Sequence, residues 1–206
     1  KFYIKLLFTL CMLIAVGLYS LYSQHLSIKP RIEEGVLDLS KWDFEKDGLV
    51  ELRGQWAFTE GITNAPLGET AQFATVPGEM PIVSNKGAGT YEVTVIFPSK
   101  AERNLAIDVE GIRMSSQLLV NGEVVHTEGR PAEQPEWYEA RNIPYTAQFI
   151  TDEQQVTIRF QVANFSYYKT GIHLPIYLGT VEQINKRQKL ELIFDTSVFL
   201  MSILAA

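Results

Sequence analysis

The sequence predicts an all-β fold, an antiparallel jelly-roll β-sandwich with an apolar segment at each end. Residues 90–97 and 155–164 alternate between apolar and polar side chains, which is the period of a strand with one buried face. Asn121-Gly122 separates two β-rich runs and is a strong signal for a type I′ hairpin turn. Between Gly35 and Gly179 the turns are regular and no convincing helix is found, a pattern typical of a two-sheet sandwich.

The predicted strands follow from this alternation and from the turn residues between them. In residues 90–97, Tyr91 and Val93 share one face while Glu92 and Thr94 share the other. Pro175 lies within the last run and predicts an edge strand, because proline cannot donate to a ladder. The predicted strands are residues 49–52, 55–58, 73–76, 90–97, 105–109, 117–120, 123–126, 155–164 and 171–178.

Residues 1–23 are predicted to be an N-terminal membrane anchor or signal segment. Leu6–Tyr22 is an uncharged run of 17 residues, at the lower end of what a spanning helix needs. Lys1 and Lys5 place its start on the cytoplasmic side. No clean small-residue cleavage site follows, so we favour an uncleaved anchor over a signal peptide. Either segment predicts a cell-membrane protein with residues 24–185 on the extracytoplasmic side.

The remaining boundaries follow from composition. Residues 24–34 are polar and contain Pro30, as expected of a linker, and residues 35–180 are the predicted sensor domain. From Val181 charged residues are spaced as on a helix surface, and residues 194–206 are apolar apart from Asp195. Residues 181–206 are therefore predicted to be a juxtamembrane helix and the truncated first helix of a membrane bundle, because the apolar run is too short to span.

The charge distribution argues against nucleic acid as a partner. Residues 24–185 hold 13 lysines and arginines and 22 aspartates and glutamates, a net charge of −9. Polyanion binding depends on clustered basic charge, which this segment lacks. The single cysteine, Cys11, lies in the N-terminal apolar run, so the folded middle has no disulfide framework or cysteine-based metal site.

The best candidates for ligand contacts lie in a long loop, residues 128–144, that carries three prolines. A loop of this length is usually functional or disordered. Trp137 and Tyr138 offer rings that stack on the apolar faces of sugars, and Arg130 and Arg141 supply planar donor forks. The alternative is that Trp137 folds back as a lid over the core.

Two polar residues after strand 155–164 complete the candidate set. Asn164 suits a ligand contact but also a turn cap, and His173 suits a ligand contact but also a structural role. No cofactor or metal is predicted, because the histidines lack partners at metal-ligand spacing. The run that begins Gly87-Ala88 leads into a strand, whereas a phosphate loop leads into a helix. No nucleophile elbow or Cys/His pair is present and the carboxylates lack a catalytic context, so this chain is predicted not to be an enzyme.

The order of several short motifs is also informative. They are GVLDLSKWDF (35–44), LRGQWAF (52–58), VPG (76–78), GTY (89–91), VNGEVV (120–125), QVANF (161–165), GI (171–172) and LG (178–179). This order resembles the extracellular sensing domain of bacterial seven-transmembrane receptors with diverse intracellular signalling modules. The resemblance covers residues 35–179 and implies a galactose-binding-like jelly roll, similar to the non-catalytic sugar-binding domain of β-galactosidase-type enzymes. It also implies a seven-helix membrane region and a cytoplasmic kinase, cyclase or phosphatase module, none of which lies in this chain.

The predicted function is an extracytoplasmic sensor domain that binds a small molecule, with carbohydrate as the leading class. Binding would bias the helix that begins near Val181 and so pass a signal to a membrane bundle. The rival hypothesis is a non-catalytic carbohydrate-binding accessory domain of a surface glycosidase. A third hypothesis is a protein-interaction domain or homodimer with Trp137 and Tyr138 at the contact.

Overall fold

The computed structural model describes residues 30–68, 71–82, 84 and 86–205 of the protein. Its strands are β1 (Val36–Asp38), β2 (Val50–Glu51), β3 (Gly54–Glu60), β4 (Gln72–Val76), β5 (Gly87–Ile96), β6 (Arg103–Val109), β7 (Ser115–Val120), β8 (Glu123–Glu128), β9 (Tyr145–Thr151), β10 (Gln155–Asn164) and β11 (Ile176–Thr180). Its helices are α1 (Phe44–Asp47), α2 (Val181–Ala205) and the 3₁₀ turn Pro135–Trp137.

The strands form two sheets. The larger sheet has the order β4-β3-β5-β10-β7-β8, and the smaller sheet has the order β2-β11-β6-β9. All of these neighbours are antiparallel, and β1 adds to the larger sheet as a parallel partner of β5. The predicted all-β sandwich of two antiparallel sheets is therefore confirmed.

The core lies between the sheets and is built from the inward side chains of the alternating strands. Trp56 meets Phe160 with ring centroids 5.9 Å apart, and Phe58 meets Tyr91 at 4.9 Å, both edge to face. All four side chains are buried. Burying an aromatic side chain of this kind contributes about 1.5–3 kcal/mol, so these two pairs are a large part of what holds the sheets together.

The predicted hairpin turn at Asn121-Gly122 is confirmed. Both residues have positive φ, 49° and 84°, as a type I′ turn requires. The Asn121 side-chain oxygen accepts a hydrogen bond from the Thr157 amide at 2.8 Å. The turn is thereby tied to β10, the strand beside β7.

Three local predictions are wrong. The last strand is not at an edge, because Pro175 precedes β11, which lies between β2 and β6. The region also contains helical turns: α1 is a single turn capped by Asp43, too short to show a helical period. Strand β9 was not predicted, because Ile150 on its outer face is 70% exposed and spoils the alternation.

Helix α2 starts at the residue where the sequence predicts a helix. Thr180 and Gln183 form a capping box, with hydrogen bonds of 3.2 and 3.3 Å between each side chain and the other residue's amide. Residues 30–184 form one compact unit, and residues from Asn185 onward belong to a second. No helix among the described residues has the combined length and apolar character needed to cross a membrane. The predicted anchor Leu6–Tyr22 lies outside the described residues, and the membrane bundle stays a prediction.

Candidate functional site

Several connections between strands meet at one end of the sandwich, which we call the loop end. The register places the end of β3, the start of β5 and the end of β10 together, since Glu60 pairs with Gly89 and Asn164 with Gly87. The start of β7 and the end of β8 lie at the same end, where Ser116 pairs with Glu128. The loop end therefore collects three connections, which are loop 61–68, loop 129–144 and loop 165–175.

Contacts between side chains join these three loops. A carboxylate oxygen of Glu133 accepts a hydrogen bond from the Ile62 amide at 3.0 Å, which ties loop 129–144 to loop 61–68. The rings of Tyr138 and Phe165 meet edge to face at 5.3 Å, which ties loop 129–144 to loop 165–175. Burial raises the pKa of the Tyr138 phenol above its ordinary value. Tyr138 therefore serves as a half-buried anchor between two loops.

Loop 129–144 is closed at its base. Arg130 and Glu139 exchange two main-chain hydrogen bonds of 2.9 and 3.1 Å. The Arg141 guanidinium lies 3.1 Å from the carboxylate of Glu128, which in turn lies 3.2 Å from the His126 ring. The predicted arginines thus have different surroundings. Arg130 has an exposed side chain, whereas the guanidinium of Arg141 is committed to closing the loop.

The exposed aromatic side chains of the loop end are Trp137 and Tyr168. Trp137 ends the 3₁₀ turn and is 62% exposed, so it does not fold back as a lid over the core. Tyr168 in loop 165–175 is 84% exposed. Tyr168 is not among the residues that the sequence singled out, although its position four residues after Asn164 was a usable signal. These two rings are the free stacking surfaces of the joined loops.

Asn164 organises loop 165–175 instead of facing solvent. Its side chain is fully buried, and its amide nitrogen donates to the carbonyls of Tyr167 and Lys169 at 3.0 and 3.3 Å. Its oxygen accepts from the amides of Ser166 and Tyr167 at 3.1 and 2.8 Å. The turn-capping role suggested by the sequence is confirmed, and these four bonds leave the Asn164 amide little capacity for a ligand.

His173 is half-buried in loop 165–175. Its Nε2 atom lies 3.1 Å from the carbonyl oxygen of Thr170. The Thr170 carbonyl also accepts from the Met80 amide at 3.1 Å, and the Ile172 carbonyl accepts from Gly78. These contacts give His173 a position within the packing of loop 165–175 against residues 78–80.

A cavity missed by the sequence reasoning lies beside the loop end, on the face of the larger sheet that points away from the smaller one. It consists of two adjoining parts of about 430 and 240 Å³, both lined by Leu67, Gly68 and Ala71. We call this cavity the outer recess. The larger part is also lined by Phe58, Thr59, Glu60, Thr63, Ala65, Pro66, Gln72 and Pro81. The smaller part is also lined by Glu34, Gly35, Val36, Ala57, Phe73, Glu92 and Thr94.

Beneath loop 61–68 lies a buried polar network on β5 and β10. Glu92 accepts a hydrogen bond from Arg159 Nε at 2.8 Å and another from the Leu67 amide at 3.1 Å. Arg159 also donates to the Asn64 carbonyl at 2.8 Å, and Gln161 donates to the Thr63 carbonyl at 2.9 Å. This network holds the loop against the sheet, and the loop forms a wall of the recess.

The described residues contain no group of three or more histidine, cysteine, aspartate or glutamate side chains placed to hold a metal ion. The loop end offers aromatic faces, one exposed guanidinium and backbone groups. Such groups suit the binding of a small polar molecule by stacking and hydrogen bonding.

Comparison of the sequence with protein-family models and with curated proteins gives no match. Solved structures with a similar fold include a β-glucuronidase of Faecalibacterium prausnitzii, at 14% identity and a TM-score of 0.48, covering 63% of this chain and 31% of that chain. A GH2 β-galacturonidase from Eisenbergiella tayi bound to galacturonate gives 19% and 0.46, covering 64% and 24%. A putative β-galactosidase from Bacteroides fragilis gives 15% and 0.47, covering 63% and 22%. This chain spans less than a third of the length of each, and likeness at this level carries no argument about activity or ligand.

Proposed function

We propose that the sandwich is a galactose-binding-like jelly roll that binds a small carbohydrate at its loop end without transforming it. The observation that carries the proposal is the exposure of Trp137 on a loop that is tied to both of its neighbours. The predicted contacts Trp137 and Arg130 remain the proposed ligand contacts. Tyr138, Arg141, Asn164 and His173 support the loops that present them.

The stacking surface is preorganised. Tyr138 packs on Phe165, and the main-chain pair between Arg130 and Glu139 closes the loop immediately around the 3₁₀ turn. A ligand that binds here does not have to pay the ordering cost of a free loop, which improves affinity. An indole ring also loses little conformational entropy when it stacks on a sugar face, because it has only two side-chain torsions.

For the protein as a whole we propose an extracytoplasmic sensor of a bacterial membrane receptor. Helix α2 supports this role because it starts directly from β11. The Gln183 side chain donates to the Phe44 carbonyl, and Ile184 is fully buried in the sandwich unit. A ligand that binds only one arrangement of the sandwich would shift the population of that arrangement, and the start of α2 would follow.

The second candidate function is a non-catalytic carbohydrate-binding accessory domain of a surface glycosidase. It uses the same loop end, and the similar solved structures carry glycosidase names. The two candidates differ in topology. A tag inserted at Ser99, an exposed residue after β5, would be cleaved by protease in intact spheroplasts if the sandwich is exported and anchored. Protection of the tag would overturn the exported receptor.

Ligand binding is tested by thermal stability of the full chain in detergent against a panel of neutral sugars, uronic acids, amino acids and cell-wall fragments. A ligand at 100 times its Kd stabilises a fold by about 2.7 kcal/mol, which a melting curve resolves. We expect at least one sugar to raise Tm and Trp137→Ala to abolish the shift. Ile150→Ala removes an equally exposed apolar side chain on β9 and should leave the shift intact. No shift with any sugar, or an unchanged shift in Trp137→Ala, would refute the loop-end proposal.

A further inference from the structure

We infer that the outer recess is a second binding site, separate from the loop end, and that it accepts a small organic cation carrying an ammonium group. Three features of the recess support this inference. They are its size, the aromatic ring at its side, and a negative charge that no neighbouring cation neutralises.

The recess is large enough for a small molecule. Its larger part, about 430 Å³, falls within the range of ordinary ligand pockets. Its smaller part, about 240 Å³, equals the liquid volume of about eight water molecules. Small side chains account for the hollow shape of the smaller part, since Gly35 and Ala57 lie where longer side chains would fill the space.

The smaller part has an exposed aromatic wall. Phe73 on β4 lines it and is 47% exposed, an unusual degree for a phenylalanine beside a folded core. Val36 on β1 also lines it and is 39% exposed. An ammonium group is attracted to the face of a benzene ring, and the attached carbon chain packs on apolar neighbours. These walls therefore suit a cation with an apolar or ring-shaped body.

The charge of the recess selects the sign of the ligand. Glu34 lines the smaller part and Glu60 the larger part, both exposed, and no printed ion pair among the described residues occupies either carboxylate. No lysine or arginine among the described residues lines either part. The nearby guanidinium of Arg159 is buried and is committed to Glu92 and to the Asn64 carbonyl. An acidic ligand would therefore be repelled, and a cationic one attracted.

The wall between the two parts is held in place. The Leu67 amide donates to Glu92, and Gln161 donates to the Thr63 carbonyl and, at 2.7 Å, to the Asn64 side chain. Loop 61–68 is therefore fixed at several points before any ligand arrives. A preformed wall reduces the ordering cost of binding.

A charge series on one ring tests the inference. Glucosamine, glucose and glucuronate differ in charge on a similar body, and 1,5-diaminopentane supplies ammonium groups without a sugar. We expect calorimetry of the full chain to give at least tenfold tighter binding of glucosamine than of glucuronate. Binding of glucosamine should weaken as salt is raised, because the attraction is screened. Tight binding of 1,5-diaminopentane would assign the site to amines in general, and its failure would assign it to amino sugars.

Variants locate the site. Glu34→Gln and Glu60→Gln should each weaken glucosamine binding about five- to tenfold, and Phe73→Ala should weaken it similarly. Glu33→Gln removes an exposed carboxylate next to Glu34 that lines neither part, and should change nothing. Binding lost in Trp137→Ala but retained in Glu34→Gln and Glu60→Gln would place the amine at the loop end and refute the second site. Equal affinity for glucosamine and glucose, or no binding of either amine, would also refute it, whereas the loop-end proposal would survive if sugars still bind through Trp137.

Discussion

The carboxylate of Glu92 on β5 lies 2.8 Å from Nε of Arg159 on β10, and both side chains are buried on the outer face of the larger sheet. The two residues are cross-strand partners in the sheet. Each also bonds to loop 61–68, Glu92 through the Leu67 amide and Arg159 through the Asn64 carbonyl. This ion pair therefore joins two central strands to the loop that walls the outer recess.

Arg159→Met should destabilise the protein by about 3–5 kcal/mol, because it leaves the Glu92 carboxylate buried without its partner. Urea denaturation followed by tryptophan fluorescence measures the change in the free energy of unfolding. Lys100→Met is the matched control, since Lys100 pairs with Glu153 in an exposed bridge worth at most about 1 kcal/mol. A loss in Arg159→Met no larger than in Lys100→Met would show that water already reaches Glu92.

Tyr91→Phe should remove part of the alkaline sensitivity of the fold. Burial raises the pKa of the Tyr91 phenol, so the folded protein keeps a proton that the unfolded chain begins to lose near pH 10. This contribution to stability is present below about pH 10 and is lost as pH rises towards the folded pKa. We expect the wild type to lose up to about 1.4 kcal/mol more per pH unit than the variant between pH 10 and 11.

At pH 7 the same substitution should cost less than about 1 kcal/mol, because the buried Tyr91 hydroxyl has no hydrogen-bond partner among the described residues. Urea titrations from pH 7 to 11 measure both effects. Tyr168→Phe removes an exposed phenol and is the control for the loss of a hydroxyl. Parallel pH curves for wild type and Tyr91→Phe would contradict the prediction.

Asn164→Ala should destabilise the fold by about 1–3 kcal/mol, because it leaves buried backbone groups of loop 165–175 without the partners that the amide supplies. Thermal and urea unfolding measure the loss. Asn104→Ala, at an exposed position on β6, is the control and should be nearly neutral. Equal stability of the two variants would mean that the loop keeps its turn without the side chain. Because Tyr168 lies on this loop, we also expect faster proteolysis near Tyr168 in Asn164→Ala.

The strands predicted from alternation are those whose pattern is local. Strand β10 has the predicted bounds, Gln155–Asn164, because its inward and outward residues differ clearly in polarity. The Asn121-Gly122 turn is equally local, since two positive φ values favour that dipeptide. Strands β1 and β9 were not recoverable in this way. The first is three residues long, and the second carries the exposed Ile150.

The candidate site divides along the same line. The aromatic and arginine content of loop 129–144 is visible in the sequence, and Trp137 is indeed exposed. The commitment of Arg141 to Glu128 and of Tyr138 to Phe165 is not visible, because each contact joins different elements. The outer recess was missed for the same reason. Its walls come from the segment around Glu34, from strands β1, β3, β4 and β5, from loop 61–68 and from Pro81.

The sequence alone determined the fold class, the main strands, the hairpin turn and the start of α2, because these depend on side-chain periodicity and on the backbone preferences of neighbouring residues. Only the tertiary structure decided the order of the strands, the central place of β11, the ion pair of Glu92 with Arg159 and the position of the outer recess. These features depend on the register between strands far apart in the chain, and residue periodicity within one strand carries no information about its partner. The charge that gives the outer recess its proposed specificity is therefore present in the sequence, but its placement is a property of the folded sheet.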